Sequence, residues 1–254
     1  MIFIIIFLGL VQGIFEFLPV SSSGHILIFY KLFNLNLDLL SLNIILHIAT
    51  ALSVIVYYHR KIWFMITHPL DKQTLNLVFA TAISCIIILI IHPFLKDAIG
   101  GKFLAISFII TAIFLLITTI INKKYTFSAP LDNKTIVVMS IFQAIAVLPG
   151  LSRSGLTLCS GLICGKNKDE VADFSFLMGL PLIVAGALYD FIFEKPDFSN
   201  VNIIGLVLSF IVAFLSGILA IFITKKLAEK TKLWYFSVYL VVLAIISVII
   251  LWFF

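Results

Sequence analysis

Apolar residues run along this chain in blocks near twenty residues long, separated by short polar gaps. Six blocks, at roughly 40–58, 75–91, 103–121, 171–193, 201–223 and 233–254, are long enough to cross a bilayer as helices. A spanning helix needs about 20 residues, within a range of about 17–25. Two further regions, 1–35 and 135–165, are apolar at both ends but interrupted in the middle by Pro, Gly, Ser and one or two charges. Each limb has roughly 12 to 17 residues, the length of a half-span. Pro19 and Pro149 sit near the breaks, where a missing N–H and a fixed φ interrupt a helix. In lipid such backbone is tolerated only when it is buried in protein or lines a wet cavity. Two re-entrant hairpins around an internal polar site are the expectation.

The two broken regions resemble one another. With a constant offset of 131, Gln12 meets Gln143, Ile14 meets Ile145, Ser21 meets Ser152, Ser23 meets Ser154 and Gly24 meets Gly155. That offset is close to half the chain, as a duplicated unit would give. The chain is therefore expected to be one integral membrane unit, 1–254, with repeats at 1–122 and 132–254. Each half holds one hairpin, which returns to its own side, and three spans. Three is odd, so the second half starts on the opposite face and the repeat is inverted, as in transporters with broken helices at the midplane. The fold class expected is an all-α polytopic membrane protein with an inverted-topology repeat.

Charge orients the scheme. Apart from Arg153, every Lys and Arg except Lys31, Lys96, Lys102 and Lys195 falls on one face, which the positive-inside bias makes cytoplasmic. Both termini are then expected outside. No Lys or Arg precedes the first apolar stretch and no small-residue cleavage pattern follows it, so it is expected to be retained and not cleaved as a signal peptide.

Composition agrees. Of 254 residues, 62% are apolar and 11% charged, against about 25% charged in soluble domains. An ordinary cytosolic enzyme is excluded. The net charge of +5 is spread over short gaps, so no nucleic-acid surface is expected. Cys85, Cys159 and Cys164 lie in apolar context without metal or redox spacing and read as small buried hydrophobes.

Most charged residues, Asp173 and Asp190 included, fall in loops or near span ends; Glu16 and Arg153 lie inside the broken segments. A charge at membrane depth costs at least about 2.5–3.5 kcal/mol, so such groups are paired, hydrated or functional. A structural Glu16–Arg153 lock is the bland reading. Gln12, Ser21, Ser22, Ser23 and His25 surround Glu16, while Gly150, Ser152, Ser154, Gly155 and Thr157 surround Arg153, more polar groups than a lock needs. The Arg fork, hydroxyls and N–H groups of a helix start suit a phosphate. Ser, His and carboxylate suit nucleophilic or general-base attack on phosphorus. One of the three serines is expected to cap the helix after the break. His47, within a span, reads as a polar helix contact or a pathway lining; His59, His68 and His92 read as interfacial. The 25 Phe fit packing, lipid contact or an isoprenoid groove equally.

The stretches GLVQGIFEFLPVSSSGHILI and AVLPGLSRSGLTLCSGLICG resemble the two signature regions of the undecaprenyl pyrophosphate phosphatase family, the bacitracin-resistance type. Gln12 and Glu16 fill its (E/Q)xxxE motif. Ser21, Ser22, Gly24 and His25 fill the Ser-Ser-x-Gly-His stretch, and Pro149, Gly150, Ser152, Arg153, Ser154 and Thr157 fill PGxSRSxxT. DFSFLMGLP, from Asp173 to Pro181, extends the similarity. Many members have Glu at the position of Gln12. A Gln there cannot act as a base, though its carbonyl can bind a cation or orient water.

The resemblance implies a multi-pass hydrolase of the bacterial cytoplasmic membrane. It would convert undecaprenyl diphosphate to undecaprenyl phosphate for peptidoglycan synthesis, confer bacitracin resistance and face its site outward. Catalysis is expected from Glu16, Ser22, His25 and Arg153, with Ser22 as nucleophile and Ser21 as runner-up. His25 and Glu16 would handle the proton. Alternatively to that proton role, Glu16 with Gln12 would hold a Mg²⁺ or Ca²⁺; substrate binding is expected from Gln12, Ser21, Gly150, Ser152, Ser154 and Thr157. A homodimer is one expected assembly. The competing reading is a polyprenyl-phosphate flippase or transporter, which requires no Ser/His/Glu set.

Overall fold

The computed structural model describes residues 2–35, 38–99, 103–124, 128–198, 202–230 and 232–253. Met1, Val201 and Phe254, which bound three of the expected segments, lie outside the described residues, as do Lys102 and the side chains of His92, Lys96 and Lys123. Among the described residues the chain is all-α, with α1 (Ile2–Phe17), α2 (Ser22–Leu32), α3 (Leu39–Tyr57), α4 (His59–Thr67), α5 (Lys72–Ile99), α6 (Leu104–Lys124), α7 (Asn133–Ile145), α8 (Arg153–Ile163), α9 (Lys168–Phe193), α10 (Ile203–Glu229) and α11 (Trp234–Phe253).

Five of the six expected spans, α3, α5, α6, α9 and α10, are long and apolar enough to cross a membrane. The sixth, α11, is a shorter apolar helix over its described part, Trp234–Ile250. Helices α5 and α9 continue through Pro93 and Pro181, as apolar helices with packed neighbours tolerate. Helix α10 runs past its apolar block to Glu229, carrying Lys225 and Lys226 to the interface. The chain between α3 and α5 is not a plain loop. It forms α4, none of whose residues is buried, with Trp63 and Ile66 turned outward. Cys159 is buried, but Cys164 at the end of α8 is exposed, because the cap of a short helix ends at the bundle surface.

The breaks fall where the prolines are, between α1 and α2 at Pro19 and between α7 and α8 at Pro149. Ser21 and Ser152 cap the two returning helices, accepting from Gly24 N at 3.3 Å and Gly155 N at 3.1 Å. These are equivalent positions at the offset of 131, so the sequence likeness marks the same cap hydrogen bond, although the backbone differs, with φ 68 at Ser21 and φ −87 at Ser152.

Ion pairs and interlocking backbones set the directions of the elements. Helix α3 begins at Asp38, which accepts from Asp197 N at 2.9 Å, and ends beside Tyr58, whose hydroxyl donates to Asp173 Oδ1 at 2.8 Å. Helix α9 thus runs opposite to α3. Helix α10 ends at the Asp173 end, where Lys225 reaches Asp173 at 2.5 Å and Lys168 donates to Glu229 O at 3.1 Å. Lys61 of α4 also pairs with Asp173. Helix α1 runs alongside and parallel to α10: Gly9 lies on Ser209, Gly13 on Ala213, and Thr224 donates to Phe17 O. It therefore starts at the Asp38 end. Helix α7 starts at the other end, where Lys166 holds Asp132 at 2.6 Å and Glu170 accepts from Leu131 N. The ammonium beside it keeps the Asp132 carboxyl well below the usual carboxylate range. The two hairpins thus enter from opposite ends and their tips meet. Helix α1 packs on α10 as α7 packs on α5, and α6 pairs with α11.

The α1–α10 seam depends on absent side chains. A Cβ at Gly9 would lie 2.5 Å from Ser209 O, whereas one at Gly186 would meet nothing within 4 Å. Gly9→Ala should lower the thermal midpoint in detergent by several degrees, from about 1–3 kcal/mol of overpacking. Gly186→Ala should leave it within about one degree, and equal midpoints for the two variants would count against this seam.

Candidate active site

Where the hairpin tips meet, Glu16 is held from three sides. Arg153 Nη2 donates to its Oε1 at 2.5 Å, Ser22 Oγ to its Oε2 at 2.6 Å, and Gln12 Nε2 to the same Oε2 at 3.0 Å. Glu16 is buried, as are Gln12 and Ser22. Helix α1 supplies Gln12 and Glu16 one turn apart, so both face the same side. Ser22 and Arg153 open α2 and α8, at equivalent positions of the two hairpins. Arg153 lies flat against α9: a Cβ at Gly179 would fall 1.5 Å from Arg153 Nη1. Gly179, within DFSFLMGLP, is thus a site residue that motif reading left without a role.

A cavity of about 210 Å³ opens at this point, lined on its polar side by Glu16, Ser21, Ser22, Ser23, Ser152, Arg153, His47 and Asp190, and on its apolar side by Phe15, Leu151, Leu182 and Ile183. It lies toward the end where α3 begins and α9 finishes. Two helix starts, α2 and α8, border it with their N-caps, which favours an anion. Ser21 has φ 68 and Gly150 φ +89, so both turns are bent through the left-handed region. For Ser that conformation is costly and is held only by its surroundings.

The expected residues divide into two groups. Glu16, Ser21, Ser22, Ser152 and Arg153 meet at the cavity. His25 does not line it. Its Nδ1 lies 2.7 Å from Ser21 O and its Nε2 2.6 Å from the Tyr239 hydroxyl, and its ring is stacked on Tyr239 and packed beside Phe15. A carbonyl only accepts, so Nδ1 carries the proton and Nε2 accepts from Tyr239. Both nitrogens are spent on holding the α2 turn. Ser154 donates to Leu18 O at 3.0 Å, tying the tips together, and Thr157 is engaged with Arg153 O and Ser175. Gly150 forms the turn beneath and packs against Ser107 and Leu104. His47, for which the sequence left a pathway lining open, and Asp190, placed near a span end, supply polar walls. Asp173, by contrast, stays at the far end with Lys61 and Lys225.

For a metal, the donors near Glu16 are oxygens of the hard kind. Gln12 Oε1 is buried without a hydrogen-bond partner beside the Glu16 carboxylate. Among the described residues no three His, Cys, Asp or Glu side chains group as a metal cage. Mg²⁺ commonly takes one or two protein oxygens and completes its shell with water and phosphate, so a carboxylate with an orphan amide oxygen fits that mode.

The family Bacitracin resistance protein BacA matches residues 5–246. A Carboxydothermus hydrogenoformans protein named undecaprenyl-diphosphatase is 32% identical over 245 residues, covering 94% of this chain and 93% of its own length. Proteins of the same name from Methanococcus vannielii and Bacteroides fragilis are 36% and 35% identical; the first alignment covers 92% of this chain and 94% of the relative, the second 96% of each. With a match running nearly end to end, this chain belongs to the BacA family of bacitracin resistance proteins.

Proposed function

We propose that this protein is an undecaprenyl-diphosphatase, an integral membrane hydrolase that removes the terminal phosphate of undecaprenyl diphosphate. The observation that carries this reading is the carboxylate of Glu16, which meets the Arg153 guanidinium on one oxygen and the Ser22 hydroxyl on the other, in a cavity bordered by two helix starts. A transport site needs an anion cradle, but it has no use for a hydroxyl held against a base.

Arg153 and Ser152 bind the terminal phosphate and stabilise charge on the transferring group. As the phosphate takes over the guanidinium, Glu16 is freed from its cation and becomes a better proton acceptor. Ser22 Oγ attacks phosphorus, its proton passes to Glu16, and the bridging P–O bond breaks to release undecaprenyl phosphate. Water then cleaves the phosphoserine. Serine is activated here by an adjacent base, as nucleophilic hydroxyls require. His25 acts by holding the Ser21 carbonyl, which positions Ser22. In the alternative arrangement Glu16 serves as a ligand and not as the base: with Gln12 it would hold a Mg²⁺ or Ca²⁺, which when bound neutralises phosphate charge. At about 210 Å³ the cavity takes a head group only; each CH₂ of the prenyl chain is worth about 0.8 kcal/mol in lipid and stays there.

The same reading includes the frame. The two halves form one unit of inverted repeats, supported by equivalent caps and by hairpins entering from opposite ends. The Lys-rich Asp173 end lies in the cytoplasm, supported by the positive-inside bias, which puts the chain ends and the cavity mouth outside in the bacterial cytoplasmic membrane. Self-association as a homodimer is compatible with this frame. In the cell the product would feed peptidoglycan synthesis, and its turnover would confer bacitracin resistance.

Purified protein in detergent with Mg²⁺ or Ca²⁺ should release inorganic phosphate from a prenyl diphosphate, although no compartments exist there. No release with metal supplied would favour transport. Arg153→Ala should lower turnover by about 10²–10³-fold, as loss of a transition-state donor does, while the protein still inserts, with a lower thermal midpoint because Glu16 is left buried and unpaired. Ser22→Ala should cost at least about 10²-fold by removing the nucleophile, and Ser23→Ala less than about tenfold; equal losses would remove Ser22 from its role. Chelation should abolish release, and added Mg²⁺ or Ca²⁺ should restore it; full activity in chelator would dispose of the metal.

A further inference from the structure

Two histidines lie near the cavity and their ring nitrogens are used in opposite ways. His25, in the motif, has both nitrogens occupied by Ser21 O and Tyr239. His47 of α3 lines the cavity and uses only one: Nδ1 lies 2.8 Å from Asn43 O, one turn back on its own helix. A carbonyl accepts and never donates, so Nδ1 carries a proton and Nε2 is the other, outward nitrogen. No hydrogen-bond partner meets Nε2 among the described residues. The backbone thus fixes the ring orientation and leaves one nitrogen for whatever enters the cavity, which is how a bound histidine is commonly pre-oriented.

A diphosphate needs two sets of partners. Arg153 and Ser152, with the start of α8, make one. On the facing helices, α3 presents His47 and α9 presents Asp190. Asp190 offers no donor to an anion. Of the two, His47 alone serves a second phosphate.

Resting on the phosphatase reading above, we propose that His47 Nε2, taking a proton from the entering diphosphate while Nδ1–H stays on Asn43 O, donates it as a hydrogen bond to the phosphate group that Arg153 does not hold. His47 is therefore the residue that makes the site selective for a diphosphate over a monophosphate. His25 positions the turn and touches neither phosphate.

The test uses direct binding, so that it does not depend on turnover. Inorganic pyrophosphate and inorganic phosphate are titrated calorimetrically into the full-length protein in detergent at fixed Mg²⁺, for wild type and for His47→Ala, His47→Asn and His47→Gln. A Gln amide can occupy the place of Nε2, whereas an Asn amide reaches only that of Nδ1. Pyrophosphate should bind His47→Ala and His47→Asn roughly 10- to 100-fold more weakly, the worth of one hydrogen bond to a charged group. His47→Gln should stay within about threefold of wild type, and phosphate should bind all four proteins within about twofold. Equal weakening of both anions, unchanged pyrophosphate affinity in His47→Ala, or a His47→Gln as weak as His47→Ala would each overturn the assignment, as would a wild type that binds no pyrophosphate. Failure of the phosphatase reading is separate: it shows as wild-type protein that binds pyrophosphate with this split yet releases no phosphate from a prenyl diphosphate.

Discussion

A guanidinium and a carboxylate buried at the centre of an apolar bundle govern the arrangement of the rest. Each alone would be expelled from that position, since an unpaired ion loses several kcal/mol of hydration there. Together, Arg153 and Glu16 satisfy one another, but only if two segments far apart in sequence are brought to the same point. The hairpin tips have to meet, and the chain that enters from the Asp38 end has to find the chain that enters from the Asp173 end. A buried pair is a poor source of net stability compared with packed hydrocarbon. In the mechanism proposed above its value lies in being displaceable: an arriving phosphate replaces the carboxylate on Arg153 and leaves that carboxylate with a hydroxyl already bonded to it.

Holding the tips in place falls to parts of the molecule that carry no charge. Helix α1 is too short to cross alone and gains its anchorage by lying flush along α10, which the missing side chains of Gly9 and Gly13 permit. Small residues at such seams matter more in lipid, where hydrophobicity does not drive helix association and close packing must. The same device recurs at Gly179, where the absent Cβ makes room for the Arg153 guanidinium itself. At the far end, Tyr58, Lys61 and Lys225 converge on Asp173 and tie α3, α4, α9 and α10 together. That end is closed by ion pairs, and the cavity lies toward the opposite one.

What the sequence made legible was whatever local chemistry decides. Prolines and serines marked both breaks and both caps, and ionisable groups stranded in apolar surroundings marked Glu16 and Arg153. What it hid depends on distant partners. His25 sits in the motif, yet its ring is turned by Tyr239, 214 residues away, and nothing local to either residue announces that. Gly179 looks like any small residue in a span until Arg153 lies on it. Helix α4 was missed because only Ile62 and Met65 of its nine residues turn toward the core, too short a stripe to read. Cys164 seemed buried because its neighbours are apolar, but a helix end near the surface exposes its cap whatever the composition around it.

The likeness between the two hairpins explains why this site is unsymmetrical. Ser21 and Ser152 cap equivalent helix starts, and Ser22 and Arg153 follow them at equivalent places. The two hairpins therefore aim two positive helix ends at one cavity and place Ser22 and Arg153 at corresponding positions. If both held Ser, the phosphate would lack a cation. If both held Arg, Glu16 could not neutralise them and no hydroxyl would remain to react. Hydrolysis of an anhydride needs a group that attacks and a group that draws charge away from the phosphorus, placed across it from one another. Filling one of the equivalent places with a hydroxyl and the other with a guanidinium meets that need. The counterpart of Glu16 is Val147, so the base is present once, on the side where the hydroxyl is. The paired helix starts supply the cradle, and the difference between Ser22 and Arg153 supplies the proposed chemistry.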